Sequence, residues 1–162
     1  MEQVHAVVLA AGKGKRMHSD LPKVLHLLCG QPLILYVFDA LHHAGIPSSI
    51  VVVGQGDDRV CEVVGPQARY VEQPEPRGTG HAVMTALPLL PQDGTPVLVL
   101  YGDTPLLTAE TIHALLALHR TSGSAATLLS AQVPDPTGYG RVIRDHDGRV
   151  RKIVEEVDCS DE

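Results

Sequence analysis

The sequence predicts an α/β fold in which a mainly parallel, mixed β-sheet is flanked by helices. Short apolar segments rich in β-branched residues alternate with amphipathic segments along the chain, which is the pattern of βαβ units. Aromatic side chains contribute only 3% of the 162 residues, so the core has to be aliphatic and rich in alanine. A core of that kind suits parallel strands that are covered by helices. The length fits one domain.

The predicted elements follow one another with short connections. Strands are predicted over residues 4–8, 49–54, 68–73, 97–101 and 125–133, and helices over residues 32–44, 57–64, 78–87 and 108–121. Pro32 and Gly45 bound the first helix, and Thr108 caps the last one. Segments 140–145 and 149–154 are predicted to form a hairpin across Asp147 and Gly148. This antiparallel pair is the reason for expecting a mixed sheet. The chain is expected to be truncated, because no further element follows that would cover the hairpin.

Charge and cysteine content argue against several classes of protein. A net charge of −6 disfavours general binding to nucleic acid. The three cysteines lack the spacing of a disulfide framework or a zinc site, so we expect reduced thiols in a cytoplasmic protein. The nine histidines show no common metal-binding spacing. The apolar N-terminal run is too short to span a membrane, and its basic residues follow it, whereas those of a signal peptide come first.

The segment LAAGKGKRM at residues 9–17 carries the strongest functional signal. It directly follows the first predicted strand, and open α/β sheets bind ligands at the carboxyl ends of their strands. Its small residues would let a base or a phosphate approach the backbone amides. Four basic residues add positive charge: Lys13, Lys15, Arg16 and Lys23. The spacing fits neither the dinucleotide-binding fingerprint nor a P-loop. We interpret the segment as a site for a nucleoside triphosphate; the alternative is an ordinary basic, glycine-rich loop.

Two further strand ends are expected at the same edge of the sheet. Asp103 follows the strand at 97–101, and its carboxylate would suit Mg²⁺, which prefers one or two carboxylates together with phosphate oxygens; the alternative is a helix cap. Gln73 ends the strand at 68–73. Its amide matches the N3–H and O4 groups of uracil, and after a flip it matches cytosine equally well. The side chain alone therefore leaves the base undecided, and backbone groups near Gly78 would have to decide it.

A protein nucleophile is missing from this pattern. No serine or cysteine has a base at a suggestive spacing, and no two carboxylates pair on one helix face. Transfer of a phosphoryl or nucleotidyl group between two bound anions needs positioning and charge neutralisation rather than a protein nucleophile. The sequence is therefore compatible with that class of reaction.

Four motifs together resemble a known family. They are LAAGxGxRM with Pro22-Lys23, QxxxxGTGHA at 73–82, YGDxPL at 101–106 and PTGYGR at 136–141. The first is similar to the signature of the sugar-nucleotide pyrophosphorylases. The set closely resembles the uridylyltransferase domain of the bacterial bifunctional N-acetylglucosamine-1-phosphate uridylyltransferase/glucosamine-1-phosphate acetyltransferase (GlmU) family, over essentially the whole chain.

The resemblance implies a Rossmann-like nucleotidyltransferase (sugar-nucleotide pyrophosphorylase) fold and a Mg²⁺-dependent reaction. The substrates would be UTP and N-acetylglucosamine 1-phosphate and the products UDP-N-acetylglucosamine and pyrophosphate, in the bacterial cytoplasm, with neither nucleic acid nor membrane as a partner. The family continues into a left-handed β-helix domain that carries acetyltransfer and forms a homotrimer. That domain is absent from residues 1–162.

The resemblance also implies roles for individual residues. Arg16 and Lys23 would be catalytic, Asp103 would bind the metal, and Gly140 and Glu155 would hold the sugar. The nucleotide would contact Leu9, Ala10, Ala11, Gly12, Lys23, Gln73, Gly78, Thr79, Tyr101, Gly102 and Asp103. Lys15 departs from the family, which commonly has threonine there.

The position at which the sequence ends is a larger departure from the family than Lys15. The family's domain continues past residue 162 with asparagines that complete the sugar and metal sites, so we expect this chain alone to be inactive. Two alternatives remain at this point. One is a pyrophosphorylase for another sugar or nucleotide, and the other is a non-catalytic nucleotide-binding fragment.

Overall fold

The computed structural model of the protein describes residues 3–12, 14 and 17–158. The chain divides into two compact units, residues 1–117 and residues 118–162. The first unit contains the strands and helices that surround the predicted nucleotide site. The second contains the predicted hairpin.

A four-stranded sheet organises the first unit. Its strands are β1 (His5–Leu9), β4 (Ser49–Gly54), β5 (Ala68–Gln73) and β6 (Val97–Tyr101), with the order β5-β4-β1-β6, and all neighbours pair in parallel. Val7 lies opposite Ile50 on one side and Val99 on the other. The short strands β2 (Leu27–Leu28) and β3 (Gln31–Pro32) form a separate antiparallel pair. The parallel order puts the carboxyl ends of all four main strands at one edge of the sheet.

Helices cover both faces of this sheet. They are α1 (Leu33–His43), α2 (Asp58–Val64), α3 (Thr79–Ala86) and α4 (Ala109–Ser122). Side chains alternate along a strand, so Val8 packs in a core with Ile34 and Leu41 of α1, whereas Val7 packs on the opposite face with Ala82 of α3. The prediction of an α/β fold with a parallel sheet flanked by helices is therefore confirmed.

The boundaries of most predicted elements agree with the structure. Strands β4, β5 and β6 occupy the predicted residues, and the helices begin and end within two residues of the predicted positions. Apolar runs bounded by glycine or proline make β4 and β6 recognisable, and β5 lies between Pro66 and Pro74. Among the described residues, no helix is long and apolar enough to cross a membrane.

The second unit contains the predicted hairpin. Strand β7 (Arg141–Arg144) pairs antiparallel with β8 (Val150–Val154). In the turn, the carboxylate of Asp145 accepts hydrogen bonds from the backbone amides of Asp147 and Arg149 at 3.0 and 2.9 Å. Gly148 has a φ of 79°, a conformation that glycine adopts without strain.

Two predictions about strands are corrected. Residues 125–133 form no strand, although all of them are described. A strand requires a hydrogen-bonded ladder with a neighbour, and in the described part of the second unit β7 and β8 pair only with each other. Leu129 and Val133 also remain 60% and 42% exposed, so burial does not hold the segment either. The antiparallel pairing expected within one mixed sheet instead forms a separate two-stranded sheet, since β7 and β8 satisfy each other's backbone groups.

Candidate functional site

A cavity of about 270 Å³ lies at the carboxyl edge of the parallel sheet. It is bounded by the ends of β1, β5 and β6, by the start of α3 and by the segment that begins at Lys23. Its lining comprises Leu9, Ala11, Gly12, Lys23, Val24, Gln73, Pro76, Gly78, Thr79, Ala82, Tyr101 and Asp103. Most of the residues predicted to contact a nucleotide therefore lie around one cavity.

Two of the predicted nucleotide-binding residues lie behind the lining. Ala10 is buried, and its backbone amide donates to the carbonyl of Val52 at 2.8 Å. Gly102 donates its amide to the carbonyl of Leu9 at 2.9 Å. Both residues continue the pairing between strands beyond β1 and β6, and their backbones fix the rim of the cavity. Lys13, Lys15 and the predicted catalytic Arg16 lie outside the described residues.

Gly102 occupies a position where the backbone and a core side chain approach closely. A Cβ atom there would lie 3.0 Å from Cγ1 of Val24 and 3.2 Å from the carbonyl oxygen of Leu9. Val24 is buried, and the Leu9 carbonyl is held by its hydrogen bond. A larger residue would therefore push apart two of the segments that form the cavity.

We expect Gly102→Ala to lower the free energy of unfolding by about 1–3 kcal/mol, because the new methyl group overpacks this contact. Gly12→Ala is a matched control, since no atom lies within 4 Å of its Cβ position, and its effect should stay within about 0.5 kcal/mol. Urea unfolding of both variants measures the difference. An unchanged midpoint for Gly102→Ala would contradict the close approach.

Lys23 and Asp103 form an ion pair at the cavity. The ammonium nitrogen of Lys23 lies 2.6 Å from Oδ2 of Asp103, and the two side chains are 44% and 24% exposed. Gly14 makes room for Lys23: its φ is 56°, and a Cβ atom there would lie 2.9 Å from the Cβ of Lys23. A partly exposed pair contributes little to stability. Both charges therefore remain accessible to a charged ligand.

The amide of Gln73 is buried in the cavity wall. The residue as a whole is only 5% exposed. Its Nε2 lies 3.4 Å from the carbonyl oxygen of Gly78 and 2.9 Å from Nδ1 of His81. Its Oε1 has no hydrogen-bond partner among the residues that the structure describes. A ligand in the cavity would thus meet a hydrogen-bond acceptor.

Neither described cysteine is placed to act as a nucleophile in this cavity. Cys29 and Cys61 are free and lie outside its lining, and Cys159 lies outside the described residues. Burial, reinforced by the charge of Asp58, raises the pKa of the Cys61 thiol. Since the thiolate is the reactive form, this shift disfavours nucleophilic attack by Cys61.

The two predicted sugar-binding residues are neighbours in the second unit. A Cβ atom on Gly140 would lie 3.3 Å from the carbonyl oxygen of Val154 and 3.8 Å from Oε2 of Glu155. The adjacent Glu156 has a different contact, because its Oε2 accepts a 2.8 Å hydrogen bond from the backbone amide of Gly138. Glu156 therefore ties the PTGYGR segment to the end of β8 and leaves Glu155 beside Gly140.

Residues 6–152 match the family described as the MobA-like NTP transferase domain. The chain belongs to this family. The chain is also similar to a curated protein. The NTP transferase chain is 51% identical over all 162 residues to "Bifunctional protein GlmU" of Caldanaerobacter subterraneus subsp. tengcongensis, and it spans 35% of that protein's length. The resemblance to the GlmU family stated above is confirmed.

Solved structures show the same fold. HddC from Yersinia pseudotuberculosis, complexed with GMP-PN, matches with a TM-score of 0.69 at 24% identity, over 93% of this chain and 68% of that one. Rv0371c from Mycobacterium tuberculosis, in complex with manganese, matches with a TM-score of 0.60 at 20% identity, over 74% and 60% of the two chains. At these identities the likeness shows that the fold is shared.

Among the described residues that line the cavity, Asp103 is the one with a carboxylate side chain. Asp103 provides a carboxylate oxygen, the type of ligand that Mg²⁺ prefers. Among the described residues, no group of three or more His, Cys, Asp or Glu side chains could hold a metal ion. An ion at Asp103 would therefore need further oxygen atoms, and the donor set fits an ion that arrives with a triphosphate.

Sequence reasoning missed four residues of this candidate site. Val24, Pro76 and Ala82 line the cavity with apolar surface, and His81 contacts Gln73 from outside the lining. Ala82 could have been found from its helical spacing, because it lies one turn after Gly78. The contact of His81 carries no such signal, since it depends on how β5 and α3 pack.

Proposed function

We propose that the chain is part of a uridylyltransferase that forms UDP-N-acetylglucosamine and pyrophosphate from UTP and N-acetylglucosamine 1-phosphate. The observation that carries this proposal is the convergence of Gln73, Lys23 and Asp103 on one cavity. An amide that can read a base, a cation for phosphates and a carboxylate for a metal are the groups that such a reaction needs. The identity to a GlmU protein supports the choice of substrates.

The reaction would be an in-line displacement. A phosphate oxygen of N-acetylglucosamine 1-phosphate forms a bond to the α-phosphorus of UTP, and the bond from that phosphorus to the pyrophosphate oxygen breaks. Lys23 and Arg16 would neutralise the charge that develops around the α-phosphorus, because cations fixed in place stabilise a transition state without further reorganisation. The cavity lining, which has no serine or cysteine among the described residues, fits a reaction in which the substrates supply nucleophile and leaving group.

Mg²⁺ is the proposed metal, with Asp103 as its protein ligand in this chain. When bound, the ion would neutralise phosphate charge. A triphosphate would also give Lys23 a new anionic partner in place of Asp103, whose carboxylate it approaches to 2.6 Å. The ion pair would therefore keep both side chains at the cavity until nucleotide and metal arrive.

The proposal also covers the sugar-binding residues and the domain that carries the second activity. Gly140 and Glu155 would bind N-acetylglucosamine, the glutamate by accepting hydrogen bonds from two hydroxyl groups. Because the curated relative is named bifunctional and the chain spans 35% of its length, we place the acetyltransferase domain and the trimer contacts outside these residues.

The preference for one nucleotide base tests the proposal. In the full-length protein, we expect pyrophosphate release with N-acetylglucosamine 1-phosphate to be fastest with UTP, and to fall with CTP, ATP and GTP. Each hydrogen-bonding group left unpaired in a buried site disfavours the wrong base by about 1–3 kcal/mol. A kcat/KM series over the four nucleotides measures this, and comparable values would contradict the assignment of Gln73 to uracil. Tight UTP binding without turnover would favour a non-catalytic nucleotide-binding protein instead.

A further inference from the structure

The orientation of the Gln73 amide can be deduced from its two neighbours. An amide has a donor end and an acceptor end of nearly equal size, so the surrounding hydrogen-bond partners decide which way it lies. The carbonyl oxygen of Gly78 can only accept a hydrogen bond. Since one end of the amide lies 3.4 Å from that oxygen, this end has to be the NH₂ group. The reverse orientation would place two oxygen atoms against each other.

His81 provides the second and shorter contact of the same NH₂ group. Its Nδ1 lies 2.9 Å from Nε2 of Gln73, and it can accept a hydrogen bond only where it carries a lone pair. The neutral ring then has its proton on Nε2. Both hydrogen atoms of the Gln73 NH₂ group are thus directed to protein acceptors, which are Gly78 and His81.

Helix α3 fixes these two acceptors together. Gly78 precedes the first residue of the helix, and its carbonyl also accepts the backbone amide of Ala82 at 3.1 Å. The carbonyl of His81 accepts the hydroxyl of Thr85 at 2.9 Å, one turn further along. The first turn of the helix therefore holds a rigid pair of acceptors against the end of β5.

We propose that His81 is a specificity-determining positioning residue, which holds the amide of Gln73 so that Oε1 faces the bound base. An acceptor in that place pairs with the N3–H group of uracil and opposes the N3 lone pair of cytosine. His81 itself lies outside the cavity lining and acts through Gln73. The inference rests on the proposed function, and it explains how an amide that matches both pyrimidines would select one of them.

The test compares UTP with CTP in the full-length protein, with N-acetylglucosamine 1-phosphate as the second substrate. We expect His81→Leu to lower the ratio of kcat/KM for UTP to that for CTP by about tenfold or more, because only the longer, 3.4 Å contact with the Gly78 carbonyl then opposes a flip of the amide. His81→Asn should keep most of the ratio, since its Oδ1 can take the place of Nδ1 as acceptor. His42→Leu, an exposed histidine of α1, is the matched control and should leave the ratio unchanged.

Each outcome separates this inference from the proposed function. A wild-type protein without preference for UTP over CTP would overturn the proposed function. If the wild-type preference for UTP survives in His81→Leu, only the role of His81 is overturned. The same holds if the preference is lost in both His81→Leu and His81→Asn. If His81→Leu fails to fold, ¹⁵N NMR of the wild-type histidines decides the question: the inference requires an unprotonated Nδ1 on neutral His81, and a proton on Nδ1 would overturn it.

Discussion

Asp103→Asn is expected to reduce metal-dependent turnover of the full-length protein by about a hundredfold to a thousandfold, as the loss of one group that stabilises transition-state charge typically does. The amide keeps the shape of the side chain but loses the charge that would bind Mg²⁺. Stability should change by less than about 1 kcal/mol, because the pair with Lys23 is partly exposed. Pyrophosphate release as a function of Mg²⁺ concentration, together with thermal unfolding, measures both effects.

Asp57→Asn is the matched control for this experiment. Asp57 follows β4 at the same edge of the sheet, pairs with Arg59 at 3.0 Å and is 22% exposed, close to the 24% of Asp103. It does not line the cavity, so its substitution should leave turnover near the wild-type value. Near-normal activity of Asp103→Asn at ordinary Mg²⁺ concentrations would assign the metal to another residue. An equal loss in both variants would point to general electrostatics.

Lys23→Ala is expected to lower kcat by about a hundredfold and to weaken UTP binding by less than about tenfold. The reason is that an ammonium group directed at the α-phosphorus interacts more strongly with the transition state than with the bound substrate. Single-turnover kinetics separate the chemical step from binding, and calorimetry measures the affinity for UTP.

Lys152→Ala serves as the control for the removal of a lysine charge, since Lys152 is exposed on β8 and outside the cavity lining. It should retain both kcat and affinity. A loss of UTP affinity that accounts for the whole effect of Lys23→Ala would show that this lysine binds the nucleotide without acting on the transition state. Arg16→Ala is expected to behave like Lys23→Ala for the same reason.

The agreement between sequence and structure is best where local chemistry decides the structure. Strands β4 and β6 were predictable because each is a run of apolar residues that a turn or a helix signal interrupts, and β5 because a short segment with Tyr70 and Val71 lies between two prolines. Pro32 and Gly45 likewise bound α1 through backbone preferences that need no distant partner. The segment at 125–133 has the composition of a strand but no ladder, and composition cannot supply the missing partner.

The candidate site likewise has features that the sequence predicts and features that it does not. The small residues after β1 and the carboxylate after β6 could be assigned to one sheet edge, since the carboxyl ends of parallel strands lie together. The ion pair between Lys23 and Asp103 could not be predicted. Its 2.6 Å contact depends on how two segments that are distant in the sequence pack against each other. Gly14 and Gly102 show the same dependence on packing. A side chain at either position would collide with a residue elsewhere in the sequence, Lys23 in the first case and Val24 in the second.

The sequence by itself thus determined the α/β class and most of the element boundaries, because these follow from hydrophobic periodicity. It also indicated most of the residues that line the candidate cavity, through the position of small and charged residues after strands and through the resemblance to a known family. The tertiary structure alone decided which way the Gln73 amide lies. That orientation depends on the lone pairs of Gly78 and His81, which reach the amide only when α3 packs against β5. A side chain with two nearly equal orientations has no preference of its own, and only its folded surroundings can provide one.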